Sequence, residues 1–312
     1  MRCSGSAATP DPMGAVVGKI LPVVLIFLFG YFLKRIHFLT KSDGDSLLKV
    51  FFNVSLPALV FLSVAKMNFT FDLLWLPVIA VLVITATFFL SNGIRGWTRL
   101  DRPSFGTFLV GSLIMNTGFT YPFFIAARGE ESLAQASLFD FGNTALVFTF
   151  IYYLACKYGG NPNNLKAMVR KYVCSPPLLA VVCALIVNLN HIVLPDVAAE
   201  FFKITGYMTV PLVMLSLGIH FSPKTLIPAP VLLTIFIRMG IGLLLGFLFV
   251  AVFRLKGISR EVVLIISSAP SGISTLVFSS MEDLNKEMAA DVVSYSVLAG
   301  MFLVPIVLGF SS

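Results

Sequence analysis

The chain has 312 residues, of which 57% are hydrophobic and only 12% charged, with a formal net charge of +7 and a mean hydropathy of +0.93. No soluble domain of ordinary size needs that much apolar surface, so the bilayer is the solvent to which this sequence is fitted. The positive charge requires no nucleic acid, because basic loops facing anionic lipid headgroups account for it.

In chain order, residues 1–13 are short, polar and proline-containing; they read as a disordered tail, with Met13 a second candidate start. Ten apolar runs follow, at 15–33, 46–64, 73–94, 107–127, 136–156, 175–190, 201–220, 230–253, 263–281 and 288–309. Most come close to the roughly 20 residues that cross the hydrocarbon as a helix. They lack the alternation a barrel strand needs, so the expected fold class is an all-α polytopic membrane protein with ten transmembrane helices. The first run ends in Lys34 and Arg35 rather than in small residues, which reads as a spanning helix and not a cleaved leader.

The first, third and fifth connections are basic: Lys34, Arg35 and Lys41; Arg95, Arg99 and Arg102; Lys157, Lys166, Arg170 and Lys171. The second and fourth hold only Lys66 and Arg128. Positive loops stay cytoplasmic, so both termini are expected on the other side, although Arg254, Lys256 and Arg260 run against the pattern in the second half. Cys3, Cys156, Cys174 and Cys183 form no CxxC pair and His37, His191 and His220 are the only histidines, so no metal or other cofactor is expected.

Ten spans divide into two sets of five, 14–156 and 175–312, joined by a short loop at 157–174. An odd number per set forces the second to run inverted relative to the first. Pro22 and Pro176 are 154 residues apart, as are Pro57 and Pro211, while Pro122 and Pro270 are 148 apart. The fourth span carries Asn116-Thr117-Gly118-Phe119-Thr120-Tyr121-Pro122 and the ninth Ser267-Ser268-Ala269-Pro270-Ser271-Gly272-Ile273-Ser274. Glycine and a proline without an N–H within one turn predict a broken helix in each. Irregular backbone at bilayer depth is tolerated where protein covers it or a water-filled cavity adjoins, so paired breaks point to one shared site. The N-termini of the second half-helices would offer N–H groups and positive dipole ends to an anion there. Asn116 and Thr117 have two readings, a bond to a substrate carboxylate or a bond to a neighbouring helix.

These segments resemble the auxin efflux carrier family, whose relatives include malonate and malate permeases. The resemblance runs through nearly the whole chain. It rests on Asn116-Thr117-Gly118 to Pro122 with Ala126-Ala127-Arg128-Gly129-Glu130-Glu131, on Val210-Pro211-Leu212 to Ser216-Leu217-Gly218, and on Pro270-Ser271-Gly272-Ile273 with Val277-Phe278. It implies ten helices in two inverted five-helix repeats, with the fourth and ninth helices crossing at their breaks. It also implies that Asn116, Pro122 and Pro270 lie beside the substrate carboxylate, with Thr117, Gly118, Ser271 and Gly272 around them. Asn53 and Ser55, before Pro57, are expected to line the same pocket. The large hydrophilic loop of the long plant carriers is absent, and small polar Ser271, Ser274 and Thr275 do not imply an indole specificity.

Charged residues inside spans are costly and often serve ion or proton movement. Asp140, near the start of the fifth run beside Asn143, and Asp291, near the start of the tenth, are the coupling candidates; each also fits a first-turn carboxylate offsetting the helix dipole. Arg238 and Lys49 read as snorkelling or paired side chains, Lys49 with Asp45. The function expected is a secondary carrier for a small organic anion such as an auxin-like acid, malate or malonate. The alternatives are a Na⁺-coupled bile-acid-type symporter of related fold and a non-transporting receptor. An intramembrane enzyme would need a paired Asp, Ser-His or HExxH constellation at helix depth, and none is evident. The expected partners are the anion, the lipid bilayer and a second copy of the chain.

Overall fold

The computed structural model describes residues 12–67, 70–159, 176–221 and 227–311. The expected tail falls almost wholly outside these residues, as does the loop from residue 160 to 174 with Lys166, Arg170, Lys171 and Cys174. Among the described residues the chain is all helical apart from one isolated β-bridge. Its helices are α1 (Pro12–Arg35), α2 (Lys41–Ala65), α3 (Asp72–Gly93), α4 (Arg102–Leu113), α5 (Thr117–Arg128) and α6 (Glu131–Tyr158). They continue as α7 (Pro176–Leu189), α8 (Asp196–His220), α9 (Ala229–Val252), α10 (Gly257–Ser267), α11 (Ser274–Met281) and α12 (Lys286–Ser311). Six of these, α2, α3, α6, α8, α9 and α12, are long and apolar enough to cross a membrane.

Local chemistry explains the helix ends. Thr40 and Asp43 form a reciprocal cap at the start of α2, each side chain bonding the other's backbone N–H. Pro57 and Pro211 lack the N–H that would close the preceding turn; α2 widens into a π-helical turn over Phe51–Ser55, and α8 is interrupted at Met208.

The fourth run is two helices, α4 and α5, interrupted at residues 114–116, and the ninth is α10 and α11, interrupted at 268–273. The predicted interruptions therefore exist, but Pro122 is not in one. It lies in the interior of α5, six residues beyond Asn116, and the helix continues through it. The equivalence of Pro122 with Pro270 fails for the same reason, since Pro270 occupies the interruption itself. Asp140 is also moved. The fifth helix begins at Glu131, so Asp140 sits well inside it and has no first-turn role. Polar residues Glu131 to Gln135 hide that early start from a hydropathy reading.

The two interruptions are bonded to each other through main chain. Asn116 N–H donates to the Pro270 carbonyl at 2.9 Å and Gly272 N–H to the Ile114 carbonyl at 3.1 Å, around an antiparallel bridge between Met115 and Ser271. Backbone freed at the breaks is thus satisfied by the other break.

The helices gather into two groups. In one, α1 packs on α8, and α2 packs on α7 and α8. In the other, α6 packs on α3, α4, α5 and α10, while α12 packs on α4, α9, α10 and α11. Close approaches use glycine: a Cβ on Gly30 would strike the Leu215 backbone, one on Gly218 the Phe27 backbone, and one on Gly142 the Pro77 backbone.

Seven described residues have positive φ, and six of them pair at a spacing of 154 or 155 residues. His37 and His191 are 154 apart, Gly129 and Asp283 are 154 apart, and Arg99 and Arg254 are 155 apart. His37 and His191 end α1 and α7 with the same two backbone bonds, His37 N–H to Lys34 and Phe38 N–H to Leu33 in one, His191 N–H to Asn188 and Ile192 N–H to Val187 in the other. The 154-residue register of Pro22 with Pro176 and Pro57 with Pro211 is therefore also a register of backbone geometry. In that register Asn116, Thr117 and Gly118 correspond to Pro270, Ser271 and Gly272.

Candidate functional site

A cavity of about 290 Å³ opens where the two interruptions meet. One wall is α2, through Leu48, Phe51, Phe52 and Leu56; the other is made by Ile114 to Gly118, by Tyr121, by Asp140, Asn143 and Thr144 of α6, and by Gly272 to Ser274. It lies between the two helix groups.

Asp140 organises the polar wall. Its carboxylate accepts from Thr117 Oγ1 at 2.7 Å, from Asn143 Nδ2 at 2.8 Å and from Tyr121 OH at 3.3 Å. Thr117 and Tyr121 are one helical turn apart on α5, and Asp140 and Asn143 nearly one turn apart on α6, so two helix faces converge on one group. Asn143 Nδ2 also lies 3.3 Å from the Met115 carbonyl, tying the cluster to the first interruption.

Asn116 is the N-cap of α5. Its Oδ1 accepts from Phe119 N–H at 3.1 Å, and its amide Nδ2 is buried and has no partner among the described residues. Some first-turn N–H groups are already engaged, Phe119 by the Asn116 side chain and Thr275, Leu276 and Val277 by the Gly272 and Ile273 carbonyls, while Thr117, Gly118 and Ser274 line the cavity. Two positive helix ends, a free amide donor and one carboxylate thus share a small space.

The remaining expected residues lie elsewhere. Ser271 is buried, with its N–H on Ser296 Oγ at 3.1 Å and its Oγ 3.0 Å from Thr275 Oγ1, and Pro270 spends its carbonyl on Asn116. Pro122 is buried within α5 outside the lining. Asn53 is exposed and donates to the Lys49 carbonyl, while Ser55 is buried against the Phe51 carbonyl. The α2 wall of this cavity is therefore apolar.

Asp291 lines a second cavity, of about 390 Å³, with Lys41, Asp45, His220 and Ser294. Ile273 lines both cavities, so they adjoin across that side chain. Asp45 bonds His220 Nε2 at 2.9 Å, so the carboxylate expected to serve Lys49 is engaged by α8 instead. His220 Nδ1 lies 2.9 Å from the Ser216 carbonyl, so both ring nitrogens are held by neighbouring oxygens. In the 154-residue register Asp140 corresponds to Ser294, not to Asp291.

Tyr121, Thr144, Ile273 and Ser274 were not anticipated as lining residues. Helical spacing held the signal for two of them, since Tyr121 is four residues from Thr117 and Thr144 four from Asp140.

Comparison with known proteins places this site in context. A family model described as a membrane transport protein matches residues 15–164 and 161–308. An uncharacterized transporter of Methanothermobacter thermautotrophicus is 31% identical over 301 residues, spanning 92% of this chain and 95% of that protein. An uncharacterized transporter of Methanocaldococcus jannaschii is 26% identical over 286 residues, spanning 87% and 91% respectively. The chain belongs to the membrane transport protein family, the auxin efflux carrier family that its interrupted segments resemble.

Proposed function

We propose that this protein is a secondary carrier moving a small organic anion, a mono- or dicarboxylate, by alternating access around the paired interruptions. In this reading the ten passes form two inverted five-helix repeats, whose fourth and ninth members, α4–α5 and α10–α11, cross at residues 114–116 and 268–273. Three things support the repeat: the spacing of positive-φ residues by 154 or 155, the shared bonding of the α1 and α7 ends, and packing in corresponding pairs. The pairs are α1 on α8 with α7 on α2, and α3 on α6 with α9 on α12.

The observation that carries the anion reading is the buried, unpartnered Nδ2 of Asn116 on a cavity that two helix N-termini also line. A buried donor left without a partner costs about 1–3 kcal/mol, a cost that an anionic oxygen removes. The cavity volume of about 290 Å³, at the lower edge of the roughly 300–1,000 Å³ of small-molecule pockets, accommodates an acid of few carbons. Asp140 shares that volume with the substrate, and two carboxylates in a low-dielectric space repel, so the substrate travels with a proton on Asp140. Access alternates as the α2 wall moves against the group that holds the interruptions, and the second cavity, reached past Ile273, is part of the path.

The test is flux of a panel of labelled mono- and dicarboxylates in proteoliposomes under imposed H⁺, Na⁺ and voltage gradients. At least one carboxylate is expected to move, with Asn116→Ala raising its KM roughly tenfold or more, the loss expected for one bond to a charged group. The reading is sunk if no carboxylate moves, or if Asn116→Ala carries it as the parent protein does.

A further inference from the structure

Arg238 is the largest fully buried side chain described, with no accessible surface. It lies in a π-helical turn of α9, Phe236–Ile241, the kind of local widening that recurs at functional sites. Its Nη1 donates to the Ser112 carbonyl at 3.2 Å and its Nη2 to the Ser267 carbonyl at 2.6 Å. Ser267 is the last residue of α10 and Ser112 the penultimate residue of α4. One guanidinium therefore joins the C-terminal ends of both half-helices that lead into the interruptions. Those ends carry carbonyls without intrahelical partners and the negative pole of each helix dipole.

The space for this arrangement is built in. One turn along α9, a Cβ on Gly242 would stand 2.7 Å from Arg238 Nη2 and strike the Ser267 carbonyl. Arg238 has no carboxylate partner among the described residues, so its bonds are to neutral carbonyls and its charge is not cancelled. Ser112 is only four residues from Asn116, which bounds the backbone distance between them at about 15 Å. In transporters with interrupted helices, half-helix C-termini are where a diffusible cation is commonly coordinated.

We propose that Arg238 is a tethered cation of the crossing point: it occupies the place that two half-helix C-termini make for a metal cation, and it supplies the fixed positive charge that helps the adjoining cavity hold an anion. The second half of this statement rests on the anion-carrier reading; the first does not. Arg238 is a positioning residue, since it touches the half-helices and not the cavity.

The experiment compares purified wild-type protein with Arg238→Ala, Arg238→Met and Arg238→Lys, in two arms. In the melting arm, Arg238→Ala is expected to lose on the order of 5 °C in Tm and to regain part of it in millimolar methylguanidinium, with no gain in the wild type. In the flux arm, replacing Na⁺ by choline leaves wild-type flux unchanged. There Arg238→Ala raises KM for the carried anion roughly tenfold, Arg238→Lys falls between, and methylguanidinium restores the Ala variant. Arg238→Met separates lost charge from lost volume and is expected to resemble Ala in both arms. A Met variant with wild-type Tm and KM overturns the proposal, as does an Ala variant that no added cation restores, or a wild type whose flux needs Na⁺. A wild type that moves no carboxylate overturns the anion reading and the second half of the proposal, while the melting arm still decides whether a cation is required at the crossing point.

Discussion

Asp140 shows how much a single side chain changes meaning once its helix is placed. A sequence reading sets it near a helix start, where a carboxylate has a bland electrostatic use. The structure sets it inside α6 with Thr117, Tyr121 and Asn143 around it, donors drawn from two helices. Replacing it with asparagine keeps the size and most of the bonding while removing the titratable group. Asp140→Asn is therefore expected to bind substrate at least as well and to lose the response of flux to an imposed pH gradient, measured in proteoliposomes at fixed voltage. Flux that remains pH-driven in this variant removes Asp140 from the coupling. The polar side of the site was legible residue by residue, through Asn116, Thr117 and Asn143. Asn53 misled because a polar residue next to an intramembrane proline invites a pocket, whereas its amide is spent locally on the Lys49 carbonyl. Arg238 reads in the sequence as a snorkelling or paired side chain, but it is fully buried on two carbonyls that lie 126 and 29 residues away in the chain, a distance no local pattern shows.

At the scale of the element, hydropathy locates the helices well and their breaks poorly. Each of the ten apolar runs falls on helix, because hydrophobic length is a local property that the bilayer reads directly. The point of interruption is not local. Pro122 carries the residue chemistry of a break and yet sits inside α5, while the real break at 114–116 contains no proline or glycine and is held open by bonds to Pro270 and Gly272. Helix pairing is governed instead by the smallest residues. Gly30 and Gly218 let α1 and α8 approach until each glycine lies on the other helix's main chain. Neither helix can yield without moving its whole backbone, so Gly218→Ala is expected to cost about 1–3 kcal/mol, read as a lower melting temperature of the purified protein in detergent. An unchanged melting temperature would mean that this helix pair is looser than the structure describes.

For the whole molecule, the cavity lies between a group built on α1, α2, α7 and α8 and a group built on α6 with both interrupted pairs. Its α2 wall is apolar, while the facing wall mixes Asn116, Thr117, Tyr121, Asp140 and Asn143 with Ile114, Met115, Val147, Phe148 and Ile273, so in the proposed mechanism motion between the groups would carry the polar cluster past an apolar surface. Phe52→Cys with Thr144→Cys, on opposite walls, tests this in a background where Cys3, Cys156, Cys174 and Cys183 are replaced. A cleavable bifunctional maleimide is expected to arrest flux, and reduction of the linker to restore it; flux that continues under complete cross-linking rules out movement of one group against the other.

The join between Ile114–Asn116 and Pro270–Gly272 is made of peptide groups, and a peptide bond is blind to the side chain it carries. In the proposed carrier, the joint and the surface offered to a substrate therefore use the same stretch of chain without competing for it. Asn116, Ile273 or Ser274 can be exchanged for another residue while the rungs between the strands of backbone persist. A carrier built on such a joint would be free to change what it binds without first redesigning what holds it together.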